Sequence, residues 1–270
     1  MKHSVNLKIT HPTPDDAGSA AVNVSDFQAW FGDAHILDSV TVAFREFQIN
    51  CIVGPSGSGK STLIRGINRM NDDVEGFKCQ GEIHITGRNI LARAENTATL
   101  RKAVGMVFQK PVVFPKSIAE NVLFGIRHAR KMSRREKLQI VEENLKSVSL
   151  WKEVRHRLHE KAGSLSIGQQ QRLCIARTLA VKPSVILLDE PTSSLDPVSA
   201  RAIEDLIIDL KKDYTIIFVT HNIQQARRIA DQLIFMCNGK IIEQGTKEKL
   251  FQHPEKEQTR KYLNEEYCDC

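Results

Sequence analysis

Five short apolar runs rich in β-branched residues punctuate the chain, at residues 49–53, 104–108, 185–188, 215–219 and 233–236. Most are too short and too continuous for amphipathic helices, and they predict parallel strands buried on both faces. Stretches with helical spacing lie between and after them, at 61–70, 200–211 and 223–230. That alternation predicts an open α/β sheet, whose ligand sites sit beyond the carboxyl ends of its strands. Between 111 and 171 the pattern changes to charged, helix-favouring sequence, with Leu138, Val141, Leu145 and Val148 forming one apolar stripe. This segment reads as a helical lobe inserted in the sheet domain. Residues 247–251 and 256–263 read as short helices, too little for an independent regulatory domain.

Length and composition bound this picture without changing it. A chain of 270 residues suits one globular unit with an inserted lobe, and 41% hydrophobic with 26% charged residues excludes disordered and fibrous classes. No apolar run approaches the roughly 20 residues of a spanning helix, so any link to a membrane is expected to run through another protein. Residues 1–21, with Pro12, Pro14, Asp15 and Asp16, lack the apolar core of a secretory signal and read as a loose polar tail. The net charge of +6 suits a polyanionic ligand or simply solubility, and does not choose between them. The basic residues Arg127, Arg130, Lys131, Arg134 and Arg135 are read as a solvated helix face. Six scattered cysteines, Cys51, Cys79, Cys174, Cys237, Cys268 and Cys270, fit a reduced cytosolic setting, with the last two incidental rather than metal ligands.

Candidate chemistry concentrates at the predicted strand ends. Gly54-Pro55-Ser56-Gly57-Ser58-Gly59-Lys60-Ser61-Thr62 follows a strand and opens a helix, the context that makes a glycine-rich loop a phosphate cradle. The glycines let backbone N–H groups curl round phosphates, the helix start adds its positive end, the Lys60 ammonium neutralises phosphate oxygens, and Ser61 can ligate Mg²⁺. At the end of the run 185–188, Asp189 and Glu190 place two carboxylates where burial is costly unless a cation or substrate is present. Asp189 suits a metal's coordination shell, and Glu190 suits a base that polarises an attacking water. These two motifs alone fit many nucleotide hydrolases.

The segment Leu165-Ser166-Ile167-Gly168-Gln169-Gln170-Gln171-Arg172 narrows the choice, because it resembles the signature of ABC-transporter ATPases. Ser166 can cap the helix that begins there, leaving N–H groups and Gly168 open to an anion. The resemblance covers roughly residues 22–263. It implies an α/β P-loop NTPase (RecA-like) core, an N-terminal antiparallel β subdomain and an inserted α-helical subdomain at about 111–171, with a C-terminal tail at 264–270. It also implies ATP and Mg²⁺ as ligands, held between two copies of the chain so that Ser166, Gly168 and Gln169 of one copy meet the γ-phosphate in the loop of the other. Asp189 then joins Ser61 and Gln109 around the metal, while His221 grips the γ-phosphate. Asp196 orders the opposite active site, and Phe31 stacks on adenine, with Trp30 the near alternative. Ile167 departs from the family pattern, which has glycine there.

Within that family, Val107-Phe108-Gln109-Lys110-Pro111, Phe114-Pro115-Lys116-Ser117-Ile118 and Thr220-His221-Asn222-Ile223-Gln224-Gln225-Ala226 resemble the ATPase subunit of bacterial phosphate-specific uptake systems. The likeness implies peripheral placement on the cytoplasmic face of the cell membrane, against two transmembrane permease subunits, with an external phosphate-binding protein as an indirect partner. No nucleic-acid partner is expected. Cargo is implied by likeness only, since nothing in the chain itself would touch it, and another oxyanion or a polar amino acid remains an alternative. A soluble ABC ATPase acting on nucleic acid or ribosomes is the alternative from a different class; such relatives commonly carry two ATPase units or a long coiled coil, which this sequence lacks.

Overall fold

A computed structural model describes residues 19–92, 95–126 and 132–266. The first half of the chain forms β1 (Ala20–Phe31), β2 (Ala34–Arg45), β3 (Ile49–Val53), α1 (Lys60–Ile67), β4 (Phe77–Ile85), β5 (Arg88–Asn89), α2 (Thr97–Ala103), β6 (Val104–Val107) and α3 (Ile118–Leu123). There follow α4 (Arg134–Ser147), α5 (Trp151–Val154), α6 (Ile167–Leu179), β7 (Val185–Asp189), α7 (Pro197–Leu210) and β8 (Thr215–Val219). The chain then adds α8 (Ile223–Ile229), β9 (Gln232–Cys237), β10 (Lys240–Thr246), α9 (Lys247–Gln252) and α10 (Glu257–Leu263).

The strands make two sheets. One is antiparallel, in the order β2-β1-β4-β5, and the other runs β10-β9-β3-β8-β7-β6. In the second sheet β9, β3, β8, β7 and β6 are parallel, and β10 closes the edge antiparallel to β9. Successive side chains of a strand point to opposite faces, so the parallel sheet feeds two cores. Ile49, Cys51, Val53, Ile186 and Leu188 pack on the side of α6 and α7, whereas Ile52, Val185 and Leu187 join Leu63, Ile64 and Ile67 of α1 and the inner face of the antiparallel sheet. Covering both faces is what makes β3, β7 and β8 continuous apolar runs, each fully buried aliphatic side chain contributing about 1.5–3 kcal/mol.

All five expected strands form, those at 49–53 and 215–219 with the expected ends and the other three with shifted ones. Phe108 falls outside β6, and β7 extends through Asp189, so the first carboxylate lies in the strand itself. β1 begins at Ala20, inside the stretch expected to be a tail, and Ala21 is buried there. α7 begins at Pro197 rather than 200, because the Asp196 carboxylate caps it and the fixed φ of Pro197 suits a first helical turn.

Helices α3, α4, α5 and α6 pack together, and Ser117, Ser133 and Ser166 each start a helix through a reciprocal capping box. Val141, Leu145 and Val148 are buried as the stripe predicts, but Leu138 is half exposed. Spacing identifies a helix face and is blind to how far along it the packing partners reach.

Arg134 and Arg135 are exposed, whereas Arg127, Arg130, Lys131, Cys268, Cys270 and residues 1–18 lie outside the described residues. Among the described cysteines Cys51, Cys79 and Cys174 are free and Cys237 is disulfide-bonded. Positions along a chain do not show which thiols a fold brings together. Among the described residues no helix is long and apolar enough to cross a membrane.

Candidate functional site

At the carboxyl end of β3 the chain turns through residues 54–59 into α1. Gly54 has φ 155°, and a Cβ there would collide with the Met236 carbonyl oxygen of β9. At Gly59, with φ 95°, a Cβ would lie 2.6 Å from Leu37 Cδ2. Glycine is therefore required at both points, by conformation and by close approach. Gly59 also starts α1 without a side-chain cap, which leaves the first helical N–H groups free of any side-chain acceptor.

Lys60 is 5% exposed and folds back into this loop, donating from Nζ to Gly54 O at 2.8 Å and Pro55 O at 2.7 Å. Burial pushes its pKa down, and the nearby Glu190 and Asp189 carboxylates pull it back up. A desolvated ammonium held among carbonyls, facing two carboxylates, is a strong attractor for phosphate oxygens.

Ser61 Oγ donates to Asp189 Oδ1 at 2.7 Å, and Arg65 Nη2 donates to Asp189 Oδ2 at 3.1 Å. The buried carboxylate is thus held on both oxygens by α1. Arg65 was not foreseen, although it stands four residues after Ser61 on one face of α1, a spacing that carried the signal.

Glu190 follows with φ 45°, the left-handed region that a non-glycine residue enters at a cost of about 1–3 kcal/mol and that clusters at functional sites. Its backbone is fixed by Glu190 N donating to Val219 O at 3.0 Å and by Ser193 Oγ donating to Glu190 O at 3.1 Å. Its Oε2 receives Gln109 Nε2 at 3.4 Å and His221 Nδ1 at 3.0 Å. Residues that follow three different strands, β6, β7 and β8, thus converge on one oxygen. Gln171, also unforeseen, is fully buried in α6 and donates to Phe108 O at 3.1 Å, tying α6 to the backbone just ahead of Gln109.

The remaining predicted residues lie on other surfaces. Ser166 Oγ accepts from Gln169 N at 3.3 Å, Ser166 N donates to Gln169 Oε1 at 3.0 Å, and Gln169 Nε2 donates to Glu153 Oε2 at 2.7 Å. The Gln169 side chain is therefore engaged in the cap and with α5. A Cβ on Gly168 would meet Ser199 Oγ at 3.0 Å, so this glycine lets α6 approach α7. Ile167 is 53% exposed. Asp196 accepts from Val198 N and Ser199 N, each at 3.0 Å, and its hydrogen bonds with Ser199 and the helix start lower its pKa.

Phe31 ends β1, tilted against Phe77 at 5.3 Å between ring centroids, while Trp30 stacks on His35 at 4.6 Å. The hairpin that carries Phe31 reaches the phosphate loop through Ile36 and Leu37, which border Gly59.

A glycine-rich loop closed by a buried lysine, a serine–aspartate pair and a glutamate bound by a glutamine and a histidine are set at the ends of four parallel strands. The family model described as ABC transporter matches residues 37–193. The chain belongs to the ABC transporter family. It is similar to phosphate import ATP-binding protein PstB of Bacteroides thetaiotaomicron, 49% identical over 242 residues that cover 90% of this chain and 96% of that one. It is 47% identical to phosphate import ATP-binding protein PstB 2 of Shouchella clausii over 251 residues, 93% of each chain. Among solved structures it resembles cbiO1 of Clostridium perfringens, part of the ABC transporter complex cbiONQ, with a TM-score of 0.76 and 28% identity over 88% of this chain and 93% of that one. The expected fold, a P-loop core with an antiparallel β subdomain and helical elements, is the one found.

Proposed function

We propose that this chain is the ATP-hydrolysing subunit of an importer of inorganic phosphate. It works at the cytoplasmic face of the cell membrane on two membrane-spanning subunits, to which an external phosphate-binding protein delivers the cargo. The observation that carries the ATPase reading is the convergence of Gln109 and His221 on Glu190, beside Lys60, Ser61 and Asp189. The cargo reading is supported by the near-full-length likeness to phosphate import ATP-binding proteins.

In this reading residues 54–62 and Lys60 hold the β- and γ-phosphates and Phe31 holds adenine. The oxygens of Ser61, Asp189 and Gln109 would suit Mg²⁺, a hard cation that is bound through one or two carboxylates alongside phosphates and waters. The ion supplies charge neutralisation on the phosphate oxygens. Glu190 accepts the proton of a water whose oxygen bonds to the γ-phosphorus while the bond to the bridging oxygen breaks. His221 donates a hydrogen bond to the γ-phosphate and so reports its presence.

Two copies complete the site, with Ser166 and Gly168 of each facing the loop of the other and Asp196 between them. Within one chain the signature contacts run to Glu153 and Ser199. Closing and reopening of the pair moves the helical segment 111–171, and with it the membrane subunits. The hydrolysis rate per chain is expected to rise with chain concentration, in step with dimer formed under MgATP as measured by light scattering. A constant rate per chain across concentrations where only monomer is present contradicts the pairing.

A further inference from the structure

Glu204 lies on α7 and is 2% exposed, yet its carboxylate is amply partnered. Arg228 grips it with two parallel bonds, Nε to Oε2 at 2.8 Å and Nη2 to Oε1 at 2.7 Å. Gln225 Nε2 donates to Oε1 at 3.0 Å, and Arg201 Nη1 approaches Oε2 at 3.4 Å. Burial pushes the Glu204 pKa up, but the bonds from Arg228 and Gln225 outweigh it and hold the carboxyl below its usual range.

The geometry ties two functional loops together. Gln225 Nε2 also donates to Thr192 Oγ1 at 2.9 Å, and Thr192 stands between Glu190 and Asp196 in the connection from β7 to α7. On the other side, Gln225 N donates to Asn222 Oδ1 at 2.9 Å, and Asn222 N donates to Thr220 Oγ1 at 3.0 Å, which frames His221. Glu204, Thr192, Gln225 and Arg228 line a cavity of about 550 Å³ together with Glu190 and His221.

A buried ion pair seldom adds net stability over an apolar replacement, which α7 accommodates at Ile203 and Ile207 one residue before and three after. What the two-bond guanidinium–carboxylate contact does provide is a fixed register between helices. We propose that Glu204 is a positioning residue that locks α7 to α8, so that the loop bearing Asp196 and the loop bearing His221 move as one unit. A second copy pressing on Asp196 thereby sets the distance from His221 to the reacting phosphate. This inference rests on the roles given above to Glu190 and His221.

The test is a double-mutant cycle in ATP hydrolysis by the full chain, with thermal midpoints as a fold control. Glu204→Gln keeps the shape and removes the charge. It is expected to lower kcat about tenfold with KM for ATP changed less than about threefold, as loss of a transition-state arrangement does. On that background His221→Ala is expected to cost less than about a threefold further loss, because coupled residues are not additive. Gln225→Leu, which severs the link to Thr192 and leaves the ion pair, is expected to reproduce both results and takes the place of Glu204→Gln if that variant does not fold. Normal kcat in the folded variants, or losses that multiply with that of His221→Ala, overturns the coupling while leaving the ATPase reading intact. Normal turnover by the chain carrying His221→Ala alone overturns the role of His221 and the coupling with it.

Discussion

Glu190→Gln is expected to slow ATP turnover by about 10²–10⁴-fold while leaving ATP binding in place, the range typical of a lost general base. The amide keeps the size of the side chain and can still meet Gln109 and His221, so the local fold is preserved. It cannot take a proton from water. The positive φ of Glu190, fixed through Val219 and Ser193, aims the side chain regardless of its charge, and this separates chemistry from architecture. Single-turnover hydrolysis and binding of a fluorescent ATP analogue check the two halves of the expectation. Loss of binding together with turnover contradicts it.

Lys60→Ala is expected to weaken ATP binding about 10–100-fold, the equivalent of one charge-assisted hydrogen bond at about 1.5–3 kcal/mol. Here the argument runs through burial. The ammonium is nearly inaccessible, and its partners in the structure are the carbonyls of Gly54 and Pro55 with Ser58 Oγ at 3.4 Å. Phosphate oxygens repay its desolvation better than neutral carbonyls do, so the lysine contributes to binding beyond its bare charge. Lys60→Met, which keeps the stem, separates loss of charge from loss of packing. The expectation is that Met and Ala are equally impaired in nucleotide binding by titration. A Met variant that binds like the native chain contradicts it.

Much of this was legible because the chemistry is local in sequence. The phosphate loop, Asp189 and Glu190 each follow an apolar run that can only be a buried strand, and the structure puts them at strand ends. The antiparallel sheet was legible only through family resemblance. β1 and β2 alternate between buried and exposed positions and carry bulges at several points, so no continuous apolar run marks them. The Glu204 network was invisible for another reason. Its partners Arg228 and Gln225 lie 24 and 21 residues away, and a charge beside an apolar stripe reads as solvated until the facing helix is placed. The disulfide at Cys237 and the exposure of Leu138 were equally matters of tertiary placement.

The central claim, an ATP motor that drives phosphate entry, is tested most directly by uptake of labelled phosphate at low external concentration. Cells whose only copy of this chain carries Glu190→Gln are compared with cells carrying the native chain, in a strain without other phosphate importers. The account predicts that phosphate uptake is abolished while uptake of other anions is unchanged. Phosphate entry at the native rate in the variant cells contradicts it.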